Sequence, residues 1–161
     1  MTEIAIHQLD PRPAAAVRVT GPMSELNLGA LFGEHLPNIA HRLADLGVEP
    51  AGAPYGRYHE FGPERAVVEI GIPTRAPAST LSPIATAADG ELAASELPGG
   101  EVAIAVHRGS YDGLPTTYAT LEKWIADQGR SAGGAPWESY VDDPSEVESA
   151  DLRTEVSWPI R

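Results

Sequence analysis

The hydrophobic pattern of this chain changes period several times, and the changes outline its elements. Between residues 24 and 46, Leu28, Leu31, Phe32, Leu36, Ile39, Leu43 and Leu46 recur at steps of three and four, the spacing of one helix face. Gly47 supplies the stop, and Pro37 inside the run predicts a kink or two consecutive helices. A second helix is predicted over residues 114–128, with Leu114, Tyr118, Leu121, Trp124 and Ile125 on one side and Gly129 after it. Over residues 66–72 the period falls to two. Val67, Glu69 and Gly71 alternate with Ala66, Val68, Ile70 and Ile72, which predicts a strand with one apolar face and one face carrying a carboxylate. Shorter runs predict strands at 4–9, 14–19, 53–61, 101–107, 137–141 and 152–158, with a weaker signal within 84–97.

These elements come twice in the same order. Val17-Arg18-Val19-Thr20-Gly21-Pro22 is answered by Ile104-Ala105-Val106-His107-Arg108-Gly109-Ser110. Ala53-Pro54-Tyr55-Gly56-Arg57-Tyr58 is answered by Ala135-Pro136-Trp137-Glu138-Ser139-Tyr140, and Glu69-Ile70-Gly71-Ile72-Pro73 by Glu155-Val156-Ser157-Trp158-Pro159. Each half reads strand, strand, helix, strand, strand, an α+β order rather than a doubly wound one. The expected fold is therefore two tandem β-β-α-β-β repeats. The first covers about 1–75, a proline-containing connector about 76–83, and the second about 84–161. Twins of this kind pack about a pseudo-twofold axis, and the central cleft is the expected place for a ligand.

Composition narrows the function. With 11 Lys and Arg against 23 Asp and Glu, the net charge is −12. That disfavours direct binding to nucleic acid, which needs clustered Lys and Arg. Hydrophobic residues make up 42% and charged ones 21%, a composition that supports a packed core. There is no cysteine, so disulfides and thiol catalysis are excluded. The opening residues carry no secretory pattern and no segment has the length of a membrane span, so a soluble cytoplasmic protein is expected. The five histidines, His7, His35, His41, His59 and His107, have no metal-ligand spacing, and no phosphate-cradling glycine loop occurs. No metal and no cofactor are expected.

The candidate chemistry lies on the closing strands. Residues two apart on a strand share a face, so Glu138 and Tyr140 point together and Trp137 points away with Ser139. Glu69 and Glu155 hold equivalent places in the two halves. If these faces turn toward one cleft, it contains three carboxylates flanked by tyrosines. Such a cleft can hold a cation, with ring faces adding cation–π attraction, or supply a general acid or base. Strand glutamates are mostly solvated and alternating tyrosines mostly half-buried; the repeated Glu weighs against that plainer reading.

The run Leu97-Pro98-Gly99-Gly100-Glu101-Val102-Ala103-Ile104-Ala105-Val106-His107-Arg108-Gly109-Ser110-Tyr111 resembles the strand and turn of GyrI-like domains. Leu121 to Gly129, with Trp124-Ile125, resembles the helix end that follows in that family, and Trp137-Glu138-Ser139-Tyr140 with Asp143-Pro144 and Arg153-Thr154-Glu155-Val156-Ser157-Trp158-Pro159 resemble its C-terminal signature. In the first half Gly56-Arg57-Tyr58-His59-Glu60-Phe61-Gly62-Pro63 and Val68-Glu69-Ile70-Gly71-Ile72-Pro73 match as well. The resemblance implies tandem modules of the SHS2 arrangement. Such domains are the effector-binding parts of AraC- and MerR-type multidrug regulators, and stand alone in the DNA gyrase inhibitory protein. It implies a pocket for aromatic, often cationic, drug-like molecules. By position Glu138 is the pocket glutamate, Tyr140 lies beside it, and Glu155 is a second acidic group. Tyr58, Tyr111 and Trp137 are candidates for the wall. Similar stand-alone members hydrolyse cyclopropane-bearing electrophiles, which gives Glu138 and Tyr140 a catalytic alternative. A protein-interaction role like gyrase inhibition, or service as the effector-binding partner of a separate regulator, is a third reading. No helix-turn-helix segment is legible in this sequence, so direct DNA binding is not expected.

Overall fold

The computed structural model describes residues 3–161, so Met1 and Thr2 of the expected first repeat lie outside the described residues. The strands are β1 Glu3–Leu9, β2 Arg12–Gly21, β3 Tyr55–Phe61, β4 Ala66–Pro73, β5 Ala93–Leu97, β6 Gly100–Arg108, β7 Trp137–Tyr140 and β8 Arg153–Pro159. Helix α1 spans Leu28–Leu46 and helix α2 spans Leu114–Asp127. All the strand pairs described below are antiparallel, which gives an α+β fold.

The chain folds as two compact units. The α1 unit is Pro11–Leu97, a sheet in the order β3-β4-β2-β5 with α1 on one face. Ile39 and Leu43 of α1 are buried against Ala15, Val17, Val68, Ile70 and Ile72. Asn27 caps the helix by accepting the Ala30 amide at 3.1 Å, which satisfies one of its open donors. Gly47 closes it at φ 70°, a left-handed conformation that glycine adopts without steric cost. Pro37 does not divide α1, which runs through it as one helix. The buried contacts of Ile39 and Leu43, rather than backbone propensity, hold that stretch together.

The α2 unit joins the chain up to Asp10 to Pro98–Arg161, a sheet in the order β1-β6-β8-β7. Leu114, Leu121 and Ile125 of α2 pack on Ala103, Ala105 and Val156. The two units have matching strand roles, but their edge strands are exchanged relative to the expected repeats. Strand β1 pairs with β6, from Glu3↔Val106 to Leu9↔Gly100, and β5 pairs with β2, from Arg12↔Leu97 to Ala16↔Ala93. The boundaries 1–75 and 84–161 therefore do not coincide with the units. The links explain this. Asp10-Pro11 and Pro98-Gly99 each place a proline where a tight type I′ hairpin turn needs positive φ, which proline's ring forbids.

Strand β4 also corrects its expected half-polar character. Every residue from Ala66 to Pro73 is buried, so the face carrying Glu69 is interior too. No helix among the described residues is long and apolar enough to cross a membrane.

Candidate functional site

Within the α2 unit, register decides which side chains face the helix. Glu138 pairs with Val156 and Tyr140 with Thr154, and Val156 belongs to the core under α2. Directly opposed residues on antiparallel strands share a face, so Glu138 and Tyr140 point to the α2 side. Glu138 is only 6% exposed. Its Oε2 accepts a hydrogen bond from the Tyr118 hydroxyl of α2 at 2.8 Å, and its Oε1 accepts one from the Tyr140 hydroxyl at 3.0 Å. Two more rings adjoin these phenols. Trp158 meets Tyr118 edge-on with centroids 6.0 Å apart, and Tyr111 meets Tyr140 edge-on at 5.9 Å.

Tyr111 sits on the short turn Tyr111–Gly113, which is clamped from below by His107 at the end of β6. Since the Ser110 carbonyl can only accept, His107 Nε2 donates to it at 2.8 Å; Nδ1 pairs with the Thr117 hydroxyl at 2.7 Å. A Cβ on Gly113 would lie 2.9 Å from the His107 ring, so the turn needs glycine there. Burial, then the nearby charges of Asp143, Glu138 and Asp142, push the Tyr111 phenol above its ordinary value. It stays neutral in a negative local field, an environment that favours a cation. The Thr154 hydroxyl, opposite Tyr140, is buried without a hydrogen-bond partner.

A second carboxylate is organised differently in the α1 unit. Glu69 is 1% exposed, on the sheet face away from α1. Its Oε2 accepts the Tyr55 hydroxyl and the Ser95 hydroxyl, the latter at 2.7 Å, and its Oε1 faces His59 Nε2 at 2.8 Å. Burial pushes the Glu69 carboxyl up, but the hydrogen bonds from His59, Tyr55 and Ser95 outweigh it and hold the group below the ordinary range. Tyr55 moves the other way, well above its ordinary value, through burial first and then the Glu69 charge. Since folding lowers the Glu69 value, its contribution to stability is present above the unfolded value of about 4.3 and is lost as pH falls through the folded one. Glu69→Gln is expected to cost about 1–3 kcal/mol at pH 7 by leaving donors poorly matched. Urea denaturation from pH 7 down to pH 3 should show that gap closing at the acid end; a gap independent of pH would contradict an ionised Glu69.

The structure thus brings Glu138, Tyr140 and Tyr111 together. Glu155 does not join them. Glu155 pairs with Ser139 and Val106, so strand alternation turns it, with Trp137, to the face away from α2. Trp137 is fully buried there and Glu155 half-buried. Glu69 and Tyr58 belong to the α1 unit; Tyr58 turns toward α1 and meets Phe61 edge-on at 5.3 Å. Sequence reasoning missed Tyr118 and Trp158 at Glu138, and Tyr55, His59 and Ser95 at Glu69. Tyr118 sits on the apolar stripe of α2 and reads as plain core, although a tyrosine's hydroxyl end usually seeks a partner when buried. No group of metal-ligating side chains occurs among the described residues. A hollow of about 390 Å³ beside α1, lined by Glu34, His35, Asn38 and Leu92 among others, holds neither carboxylate.

The sequence model of the GyrI-like small molecule binding domain matches residues 2–161. No curated protein matches the chain. Among solved structures the fold is similar to EcmrR. In the complex of EcmrR with DNA, 99% of this chain aligns with 57% of the EcmrR chain at TM-score 0.79 and 20% identity. All of this chain, 100%, aligns with 98% of the EcmrR C-terminal domain at TM-score 0.78 and 20% identity. This chain therefore spans little more than half of the EcmrR chain seen with DNA. A hydrolase from Listeria innocua aligns over 99% of this chain and 92% of its own, at TM-score 0.65 and 12% identity. SAV2435, bound to tetraphenylphosphonium, aligns over 99% and 94%, at TM-score 0.61 and 12% identity.

Proposed function

The chain belongs to the GyrI-like small molecule binding domain family, and on that premise we propose that it binds amphipathic aromatic cations against Glu138. One observation carries the proposal: a nearly buried carboxylate that accepts the Tyr118 and Tyr140 phenols, with Trp158 and Tyr111 packed edge-on against those two rings. Both Glu138 oxygens already accept a phenol. The site thus offers a ligand a fixed negative charge and ring faces more than a free hydrogen-bonding position. Ring faces attract cations within about 6 Å, by about 2 kcal/mol when desolvated. The tetraphenylphosphonium held by SAV2435 is a cation of this kind, which makes it a suitable probe. The net charge of −12 disfavours phosphate contacts, and DNA binding is not part of this proposal.

Hydrolysis is the second reading, favoured by the hydrogen bond between Tyr140 and Glu138. A carboxylate that takes a proton from water, beside a phenol that donates to a developing oxyanion, is a workable pair for opening a strained electrophile. A thermal-shift screen separates the two. Cationic dyes, neutral aromatics and cyclopropane-bearing electrophiles are added in turn, and every hit is examined by mass spectrometry. A cation that raises Tm and is recovered intact supports binding. An electrophile recovered with one water added, faster than in buffer, supports hydrolysis and displaces the binding reading.

A further inference from the structure

The Glu69 cluster belongs to the α1 unit and has an arrangement of its own. We propose that His59 is a reactive imidazole, oriented by Glu69, that accepts acyl groups from activated esters. Three features support this. First, the pairing of β3 with β4 shifts register between Tyr58 and Glu60, with Tyr58↔Val68 followed by Glu60↔Val67. His59 is therefore the extra residue of a β-bulge, a device that re-aims a side chain. Second, the bulge turns His59 Nε2 onto a carboxylate that is already held by Tyr55 and Ser95. An ionised carboxylate only accepts, so the shared hydrogen belongs to Nε2, and Nδ1 is the ring nitrogen that can present a lone pair. Third, the His59 side chain is 35% exposed while Glu69 is 1% exposed. The orienting group is interior and the oriented ring reaches solvent. This is the division of labour between the carboxylate and the imidazole in nucleophilic and general-base sites.

The step balances without a cofactor. The Nδ1 lone pair adds to the ester carbonyl carbon, the carbon–oxygen bond to the leaving group breaks, and the leaving alkoxide or phenoxide takes a proton from solvent. The positive acylimidazole keeps its Nε2 proton on Glu69. Water then adds to the acyl carbon and loses a proton, the carbon–nitrogen bond breaks, and the lone pair returns to Nδ1. The net change is ester plus water to acid plus alcohol.

The test uses diethylpyrocarbonate and p-nitrophenyl acetate on the intact chain. Peptide mass spectrometry follows modification of His59 against exposed His7 and His41 in the same molecule. His59 is expected to react faster than either, and Glu69→Gln to slow it by about tenfold while leaving His7 and His41 unchanged. His59→Gln, whose amide can still donate a hydrogen bond to Glu69, is expected to remove the protein's share of p-nitrophenyl acetate hydrolysis. That second variant keeps the test independent of how well Glu69→Gln folds. A His59 that reacts no faster than His7 and His41, or ester hydrolysis unchanged in His59→Gln, overturns the proposal.

Discussion

Glu138→Gln is expected to weaken binding of tetraphenylphosphonium by about 2–5 kcal/mol, the range for removing one partner of a buried charge pair. That corresponds to about thirtyfold or more in Kd. A neutral aromatic of similar size is expected to bind nearly as before. Glutamine keeps the shape, and its carbonyl oxygen still accepts one of the two phenols that Tyr118 and Tyr140 donate. The ring cage should survive, and the change isolates charge. Calorimetric titration of both ligands into both proteins reads the difference. Equal loss for cation and neutral ligand would mean that Glu138 shapes the site without pairing with charge.

Gly71→Ala should produce a large loss of stability for the addition of a single methyl group. Gly71 lies directly opposite Tyr55 on β3 and Ala16 on β2. A Cβ there would sit 2.7 Å from the Tyr55 hydroxyl oxygen and 2.8 Å from the Ala16 Cβ. Ala16 is fully buried, and its methyl moves only with the backbone. Overpacking of this kind costs about 1–3 kcal/mol, or about 2–12 °C in Tm at the usual 2–4 °C per kcal/mol for a chain this size. The displaced Tyr55 hydroxyl is also a donor to Glu69, so the packing and hydrogen-bond costs are coupled. In a double-mutant cycle, Tyr55→Phe and Gly71→Ala should therefore cost less together than their sum. Strict additivity would show that the clash is relieved elsewhere.

The helices and most strands are legible because their signal is local. The stripe from Leu28 to Leu46 marks α1 at helical spacing, and the alternation from Ala66 to Ile72 marks β4. Which strands are neighbours is not local. Alternation tells which residues share a face, not which strand lies alongside, and sequential strands are the natural first guess because they usually pair. Hence the exchange of β1 and β5 had no sequence signal beyond the prolines at Pro11 and Pro98. The sites divide in the same way. Glu138 with Tyr140 was visible from spacing of two and from family resemblance, since both residues lie on one strand. Tyr118 is twenty residues away on a helix, where its ring follows the core stripe. The burial of Glu69 was invisible for a related reason. Its donors come from His59 and Tyr55 on β3 and from Ser95 on β5, two strands that flank different sides of the β4-β2 pair. A carboxylate on an alternating strand reads as solvated until those strands are assembled.

The most direct test of the central claim is a crystal structure of the protein with tetraphenylphosphonium. The expected density lies beside the Glu138 carboxylate, with phosphonium rings against Tyr111 and Tyr140 and the phosphorus within about 6 Å of a ring centroid. A phosphonium seated away from Glu138, for example in the hollow beside α1, would contradict the assignment of Glu138 as the charge partner of the ligand.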